Sequence, residues 1–94
     1  MYKSISSDEL KGLIGRVNII DIRDSYLFNN GSIPTSKNVP VNFLIFNPDN
    51  YLDKNSIYYI YCMYGIQSRK ACQQLSMKGY NVVDVIGGYN SYKE

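Results

Sequence analysis

Cys62 stands at a position where a cysteine can do chemistry. It directly follows a run of β-branched and aromatic residues, Ile57–Tyr61, and a short loop containing Gly65 separates it from an amphipathic segment. Ser68 is a natural N-cap for a helix there, because its hydroxyl can accept a hydrogen bond from an unpaired first-turn amide. A loop that curls from strand to helix can direct several N–H groups inward, and the helix dipole adds partial positive charge. A cysteine in such a loop tends to have a lowered pKa and a reactive thiolate.

The same residue also has a purely structural interpretation. Free cysteines are often packing residues, and Cys62 could simply end a core strand before an ordinary loop. Cys72, on the apolar face of the predicted helix, could form a disulfide with Cys62, but core packing suits its position better. Histidine is absent, which excludes Cys–His and Ser–His pairs and removes the commonest zinc ligand. A nucleophilic Cys62 must therefore be activated by backbone dipoles and cations, and no metal site is expected.

Hydrophobic patterning predicts the elements that position Cys62. Ile57–Tyr61 shows no polar alternation, which is typical of a central parallel strand covered by helices on both faces. A second apolar run, residues 17–22, predicts a buried strand with Asp21 and Arg23 at its carboxyl end. Ligands collect at this edge of open α/β sheets, and both residues lie near Cys62 if the two strands are neighbours. There they would either brace its loop or form a surface pair that shapes a turn.

The rest of the chain continues the alternation of strands and helices. We expect an edge strand at residues 2–5 and a helix at 8–14, which Ser6 or Ser7 caps and Gly15 ends. A short helix is expected at 24–30, a brief strand at 37–40 and a helix or turn within 41–51. The last strand is expected at 82–86 and a final turn at 90–94. This alternation implies βαβ units and a parallel sheet. Residues 1–94 form one domain, because the chain has no room for a second core.

Composition argues against several classes of partner. The formal charge is +2, and the lysines and arginines are spread along the chain, so neither nucleic-acid nor membrane-surface binding is expected. No apolar run approaches the length of a membrane span, and the first residues lack the apolar core of a signal peptide. Two cysteines do not indicate a disulfide framework. A cytoplasmic location is the expectation.

Four short motifs follow one another along the chain. They are Ile-Ile-Asp-Ile-Arg at residues 19–23, Gly-Ser-Ile-Pro at 31–34 with Asn-Val-Pro at 38–40, Tyr-Cys-x-x-Gly-x-x-Ser at 61–68, and Gly-Tyr-Asn-Val at 79–82 with Gly-Gly-Tyr at 87–89. In this order and spacing they resemble the motifs of the single-domain rhodanese (sulfurtransferase) family. The resemblance covers roughly residues 19–92, which is most of the chain.

The resemblance implies a doubly wound α/β domain, with a mostly parallel sheet of about five strands flanked by helices. It also implies that Cys62 is a catalytic nucleophile, which takes sulfur from a donor such as thiosulfate or a protein persulfide and passes it to a thiophilic acceptor. The expected partner is therefore a small sulfur-containing anion or a persulfidic protein. No cofactor is needed, because the sulfur is carried on the protein itself. Loop amides would cradle the persulfide; they belong to Met63, Tyr64, Gly65, Ile66, Gln67 and Ser68.

One departure from the family's pattern concerns the donor. Gln67 stands five positions after Cys62, where the family often carries an arginine that would hold an anionic donor. Arg69 is the nearest cation in sequence that could replace it. We therefore expect poor thiosulfate turnover, with formation of the Cys62 persulfide intact.

The chain departs from the family's pattern at two further positions. Ser32 replaces the family's usual histidine, and Leu27 replaces a glutamate that commonly pairs with the arginine at position 23. Asp21 and Asp24 are the remaining candidate partners for Arg23.

Two other functions are compatible with a cysteine in this position. A persulfide carrier or protein-docking module is favoured by Gln67 and by the missing histidine and glutamate. A cysteine phosphatase would need an arginine six positions after Cys62 to clamp the phosphate oxygens, and Ser68 occupies that position. The phosphatase reading is therefore disfavoured.

Overall fold

Strands alternate with helices along the whole chain, as the patterning predicts. The structure, a computed structural model, describes all residues from Met1 to Glu94. The strands are β1 (Lys3–Ile5), β2 (Asn18–Asp21), β3 (Lys37–Asn38), β4 (Ile57–Tyr61) and β5 (Asn81–Val85). The helices are α1 (Ser7–Lys11), α2 (Ser25–Asn30), α3 (Val41–Phe46), α4 (Ile66–Met77) and α5 (Gly88–Lys93), with a 3-10 turn at Pro48–Asn50.

All five strands are parallel and form one sheet in the order β1-β5-β4-β2-β3. The prediction of an α/β fold with a parallel sheet of about five strands is therefore confirmed, and β4 is its central strand. Asp21, the last residue of β2, pairs with Tyr61, the last residue of β4. The chain segments that follow these two strands consequently leave the sheet side by side, which places Arg23 and Cys62 at the same edge.

Helices cover both faces of the sheet. One face carries the larger core cluster, where Ile60 and Cys62 pack with α3 and α4 residues such as Leu44 and Leu75. The opposite face carries the smaller cluster, composed of Leu10, Ile19, Ile33, Tyr61 and Val85. Successive residues of β4 and the loop after it therefore point to opposite faces, so the Cys62 side chain lies on the side of α3 and α4.

The first helix is shorter than predicted. Ser6 is its N-cap: the Glu9 amide donates to Ser6 Oγ at 3.0 Å, and the Ser6 amide donates to Glu9 Oε1 at 3.2 Å. This reciprocal capping box fixes the beginning of α1. The helix ends at Lys11 with Gly12 as C-cap rather than at Gly15, because the chain from Gly12 onward runs through turns to β2.

The beginning of α4 corrects the prediction that Ser68 is an N-cap. Gly65 is the capping residue, with φ of +96°, and the helix starts at Ile66. Glycine adopts this left-handed conformation readily, so the chain turns into the helix earlier than the position of a capping hydroxyl predicts. Ser68 is thus the third helical residue, and its side chain is buried. The predicted apolar face of Ala71, Cys72 and Leu75 is buried as expected.

The C-terminal part of the chain is also more helical than predicted. The final turn expected at residues 90–94 belongs to α5, which begins at Gly88. β3 is only two residues long, since the proline at position 40 closes it. No helix in the structure has the length and apolar character needed to span a membrane.

Candidate active site

The sulfur of Cys62 lies in a small cradle of backbone amides at the end of the central strand. Its Sγ accepts hydrogen bonds from the amides of Gly65 at 3.1 Å and Ser68 at 3.3 Å. Cys62 is only 3% exposed. Of the six loop residues expected to form the cradle, these two direct their N–H groups at the sulfur. Amide donors in a site that excludes water stabilise negative charge at the atom they face.

The N-terminal end of α5 clamps the loop from behind. The Tyr89 amide donates to the Cys62 carbonyl at 2.8 Å, and the Asn90 amide donates to the Met63 carbonyl at 2.9 Å. Gly88 permits this contact, because a Cβ at that position would lie 2.3 Å from the Cys62 carbonyl oxygen. The loop that presents the sulfur is therefore fixed to the C-terminal helix by two main-chain hydrogen bonds.

The curl of the loop depends on Gly65. Besides its positive φ, this residue approaches the turn before α5 closely: a Cβ on Gly65 would lie 2.9 Å from the Gly87 nitrogen. No side chain other than hydrogen fits there without displacing main-chain atoms. The direction of the Gly65 amide, and with it one of the two hydrogen bonds to Cys62, follows from this constraint.

Asp21 and Arg23 form a buried ion pair, so the interpretation as a surface pair is wrong. They are 0% and 4% exposed. Arg23 Nη2 donates to Asp21 Oδ2 at 2.7 Å, and Arg23 Nε lies 3.0 and 3.1 Å from the two carboxylate oxygens. Burial disfavours the charged guanidinium, but the hydrogen bonds and charge of Asp21 outweigh this effect and raise the pKa of Arg23. Asp21 is therefore the ion-pair partner of Arg23, a role that Leu27 cannot fill because it has no charge.

The buried pair contacts the Cys62 loop through an aromatic ring. The Arg23 guanidinium lies 4.3 Å from the centre of the Tyr89 ring, and its Nη2 also donates to the Gly31 carbonyl at 2.7 Å. Tyr89 is the residue whose amide holds the Cys62 carbonyl. The pair is thus connected to the loop indirectly, from the face of the sheet opposite the sulfur. These contacts are compatible with the bracing role predicted for Asp21 and Arg23, which stays a prediction.

Gln67 and Arg69 line separate depressions on the surface of α4, and Lys70 borders both. Gln67 lines a groove between α3 and α4 together with Val41 and Phe46. Arg69 lines a separate depression beside Tyr2 at the N-terminus. Its side chain therefore does not take the place that an arginine at position 67 would occupy. Tyr64 is 65% exposed.

One residue of the site was not predicted from the sequence. Asp84 of β5 is 4% exposed, and its Oδ1 accepts a hydrogen bond from Ser68 Oγ at 2.5 Å. Burial raises the pKa of Asp84, although the bond from Ser68 and the charge of Arg69 oppose the shift. The only signal in the sequence was a single charged residue within an otherwise apolar strand.

Cys72 is a core residue. It is fully buried on α4, and burial raises the pKa of its thiol, with the nearby Asp84 adding to the effect. A thiol that is buried and protonated is a poor nucleophile. This supports the packing interpretation of Cys72.

The sequence and the fold both match known proteins. Residues 6–94 match the model of the rhodanese-like domain family. The chain is 32% identical over 75 residues to the adenylyltransferase and sulfurtransferase uba4 of Ogataea parapolymorpha. The match covers 79% of this chain but only 19% of that protein, so the chain spans about a fifth of the length of this relative.

Solved structures resemble the chain over nearly its full length. A rhodanese-like domain protein from Staphylococcus aureus is 36% identical, with a TM-score of 0.87 and coverage of 96% of this chain and 90% of that one. A rhodanese-related protein from Thermoplasma volcanium is 33% identical, with a TM-score of 0.88 and coverage of 98% and 91%. The alignments thus include the sheet, the Cys62 loop and the clamp formed by α5. The chain belongs to the rhodanese-like domain family.

Proposed function

We propose that the domain transfers sulfane sulfur through a persulfide on Cys62. The observation that carries this proposal is the pair of amide hydrogen bonds from Gly65 and Ser68 to a cysteine sulfur at the end of the central strand. Donors fixed in this way favour a thiolate before the reaction and an anionic persulfide after it. The family, which includes sulfurtransferases, and the sulfurtransferase activity in the name of the Ogataea relative both support the same chemistry.

The reaction consists of two displacements. The Cys62 thiolate attacks the outer sulfur of a donor, a new S–S bond forms, and the donor's own bond to that sulfur breaks. Thiosulfate leaves as sulfite, and a polysulfide leaves as a chain shortened by one sulfur. An acceptor thiolate then attacks the outer sulfur of the Cys62 persulfide, which regenerates the Cys62 thiolate. No net oxidation occurs, because the sulfane sulfur keeps its oxidation state.

Gln67 supplies no charge to hold the sulfonate group of thiosulfate, which favours polysulfide and protein-borne persulfide donors over thiosulfate. The Arg69 side chain lies beside the N-terminus. A second candidate function, a carrier that receives sulfur from a persulfidic partner and turns over thiosulfate poorly, rests on the same observation. A phosphatase is not supported, because Ser68 is buried and bonded to Asp84 where a phosphate-binding arginine is required.

Mass spectrometry tests the proposal directly. The wild-type chain and Cys62→Ser are incubated separately with polysulfide and with thiosulfate, and the gain of one sulfur atom is measured on the intact protein. Trypsin cleaves after Arg69 and Lys70, so the peptides containing Cys62 and Cys72 separate and the modified residue is identified. Cys72→Ala is the matched control, since it removes the other thiol of the chain.

We expect one added sulfur on the Cys62 peptide with polysulfide, less with thiosulfate, and none in Cys62→Ser. Cys72→Ala should be modified like the wild type. A folded and reduced wild-type protein that gains no sulfur from either donor would contradict both sulfurtransferase and carrier functions. Equal loading by both donors would contradict the role assigned to Gln67.

A further inference from the structure

A buried polar pair lies directly behind the reactive cysteine. Ser68 is 0% exposed and Asp84 is 4% exposed. Their side chains lie 2.5 Å apart, between Ser68 Oγ and Asp84 Oδ1, which is the short separation typical of a hydroxyl bonded to a carboxylate. Neither residue faces solvent, so water does not compete for this hydrogen bond. The pair connects the first turn of α4 to the middle of β5.

Ser68 takes part in two different interactions at this point. Its amide is one of the two donors to the Cys62 sulfur, at 3.3 Å. Its hydroxyl has a single proton, and the Gly65 carbonyl at 3.3 Å is a weaker alternative acceptor than Asp84 at 2.5 Å. The hydrogen bond to Asp84 therefore determines where the Ser68 side chain points. It also ties Ser68, whose amide donates a hydrogen bond to the Cys62 sulfur, to strand β5 of the sheet.

Few other charges face this pair. On α4, Arg69 and Cys72 are the titratable neighbours, and the charge of Arg69 lowers the pKa of Asp84 against the effect of burial. In the strands beside Asp84, the register partners are Ser4 of β1 and Ile60 of β4, and neither carries a charge. The Asp84 carboxylate makes no salt bridge, and the bond from Ser68 Oγ is its one side-chain hydrogen bond.

We propose that Asp84 is a positioning residue for the chemistry of Cys62. Its carboxyl holds the Ser68 hydroxyl, and through it keeps the Ser68 amide directed at the sulfur. This positioning role rests on the proposed sulfur transfer and deepens it. An amide fixed in this way would stabilise negative charge on the Cys62 sulfur in every step of the transfer. What the role requires of Asp84 is an oxygen acceptor, not its negative charge.

Alkylation of Cys62 tests the positioning without any sulfur donor. The rate with iodoacetamide is measured against pH for the wild type, Ser68→Ala, Asp84→Asn and Asp84→Leu. Asparagine and leucine are both uncharged and share the branching of aspartate, so their comparison isolates the oxygen acceptor. Ser76→Ala is the matched control, because Ser76 lies on the same helix and its hydroxyl donates only to the Gln73 carbonyl, at 3.0 Å.

We expect Ser68→Ala to slow alkylation at neutral pH by about three- to tenfold, the effect of losing one buried hydrogen bond. The midpoint pH of its profile should rise by about half a unit to one unit. Asp84→Asn should react at least as fast as the wild type, since it keeps the acceptor and removes a negative charge near the sulfur. Asp84→Leu should react about three- to tenfold more slowly than Asp84→Asn.

Two results would overturn the proposal. One is a profile of Ser68→Ala that coincides with that of Ser76→Ala, and the other is an Asp84→Asn protein that reacts more slowly than the wild type. Circular dichroism confirms that each variant is folded, and if Asp84→Leu does not fold, the other variants still decide the outcome. A wild type that is alkylated normally but gains no sulfur from polysulfide would refute the proposed function while leaving the positioning role to be judged by the profiles.

Discussion

At the scale of single residues, we expect Gln67 to limit the use of thiosulfate in the proposed sulfur transfer. This side chain is uncharged and lies in the groove between α3 and α4, while Arg69 faces the N-terminus. An arginine at position 67 would place a positive charge beside an anionic donor. One charge pair at about 5 Å, with an effective dielectric near 20, contributes on the order of 3 kcal/mol at most. That is enough to change how tightly the sulfonate group of thiosulfate is bound.

We predict that Gln67→Arg raises the efficiency of thiosulfate use by roughly tenfold to a hundredfold, each tenfold being about 1.4 kcal/mol. Loading by polysulfide should change much less. Steady-state kinetics with thiosulfate and cyanide measure the effect. Gln73→Arg, which adds the same charge to an exposed position of the same helix, is the control. An equal gain in both variants would show that general attraction of anions, and not position 67, is responsible.

Residue types were easier to predict than the contacts of particular atoms. The sequence identified Cys62, the glycine loop and the pair of Asp21 and Arg23. It could not show that Ser68 uses its hydroxyl to bind Asp84 rather than to cap a helix, because both roles suit a serine near a helix start. The partner comes from a strand 16 positions later in the sequence, and only the folded sheet brings the two together.

At the scale of secondary-structure elements, the position of the loop depends on its contact with α5. Gly88 lies against the Cys62 carbonyl, and the two amides that follow it bind the loop. The contact joins the central strand of the sheet to the last helix of the chain. A change at Gly88 should therefore affect both stability and the reactivity of the sulfur.

We predict that Gly88→Ala destabilises the fold by about 2 kcal/mol or more and slows sulfur loading. The methyl group would meet the Cys62 carbonyl oxygen, and overpacking of this kind typically costs about 1–3 kcal/mol, in addition to about 1 kcal/mol for the left-handed conformation. Gly15→Ala is the control, because Gly15 has a φ of +87° but no atom within 4 Å of an added Cβ. Urea denaturation measures the difference. Equal losses of stability in the two variants would contradict a steric role for Gly88.

The elements themselves were largely predictable, and the errors lay at their ends. Largely apolar runs identified β2 and β4, since buried parallel strands carry few polar residues. The beginning of α4 was misplaced because the left-handed turn at Gly65 can precede a helix without any capping side chain. Capping rules based on hydroxyl and carboxylate side chains do not identify such a start.

At the scale of the whole molecule, the buried Asp84 makes stability depend on pH. Burial raises the pKa of this carboxyl above its ordinary value of 3.8. The folded protein therefore keeps the Asp84 proton at pH values where the unfolded chain has released it. The resulting stabilisation is complete below the unfolded pKa and is lost as the pH rises through the folded pKa.

We predict that the free energy of unfolding of the wild type, relative to that of Asp84→Asn, decreases as the pH rises above about 4. Asparagine does not titrate, so the difference between the two proteins isolates the contribution of this carboxyl. Urea denaturation over a series of pH values measures it, with the exposed Asp8→Asn as control. A difference that stays constant with pH would contradict the raised pKa of Asp84.

In the proposed sulfur transfer, the depth of Cys62 limits the shape of the reactants. Cys62 is only 3% exposed, and its loop is held by α5. A reactant must therefore carry its sulfur at the end of a narrow, extended group. A linear polysulfide meets this requirement, whereas a bulky disulfide or a cysteine in the middle of a rigid helix does not. A protein that exchanges sulfur with this domain would therefore have to offer its cysteine on an extended terminus or a protruding flexible loop. The width of a reactant near its sulfur, as much as its charge, would then determine which molecules can exchange sulfur with the domain.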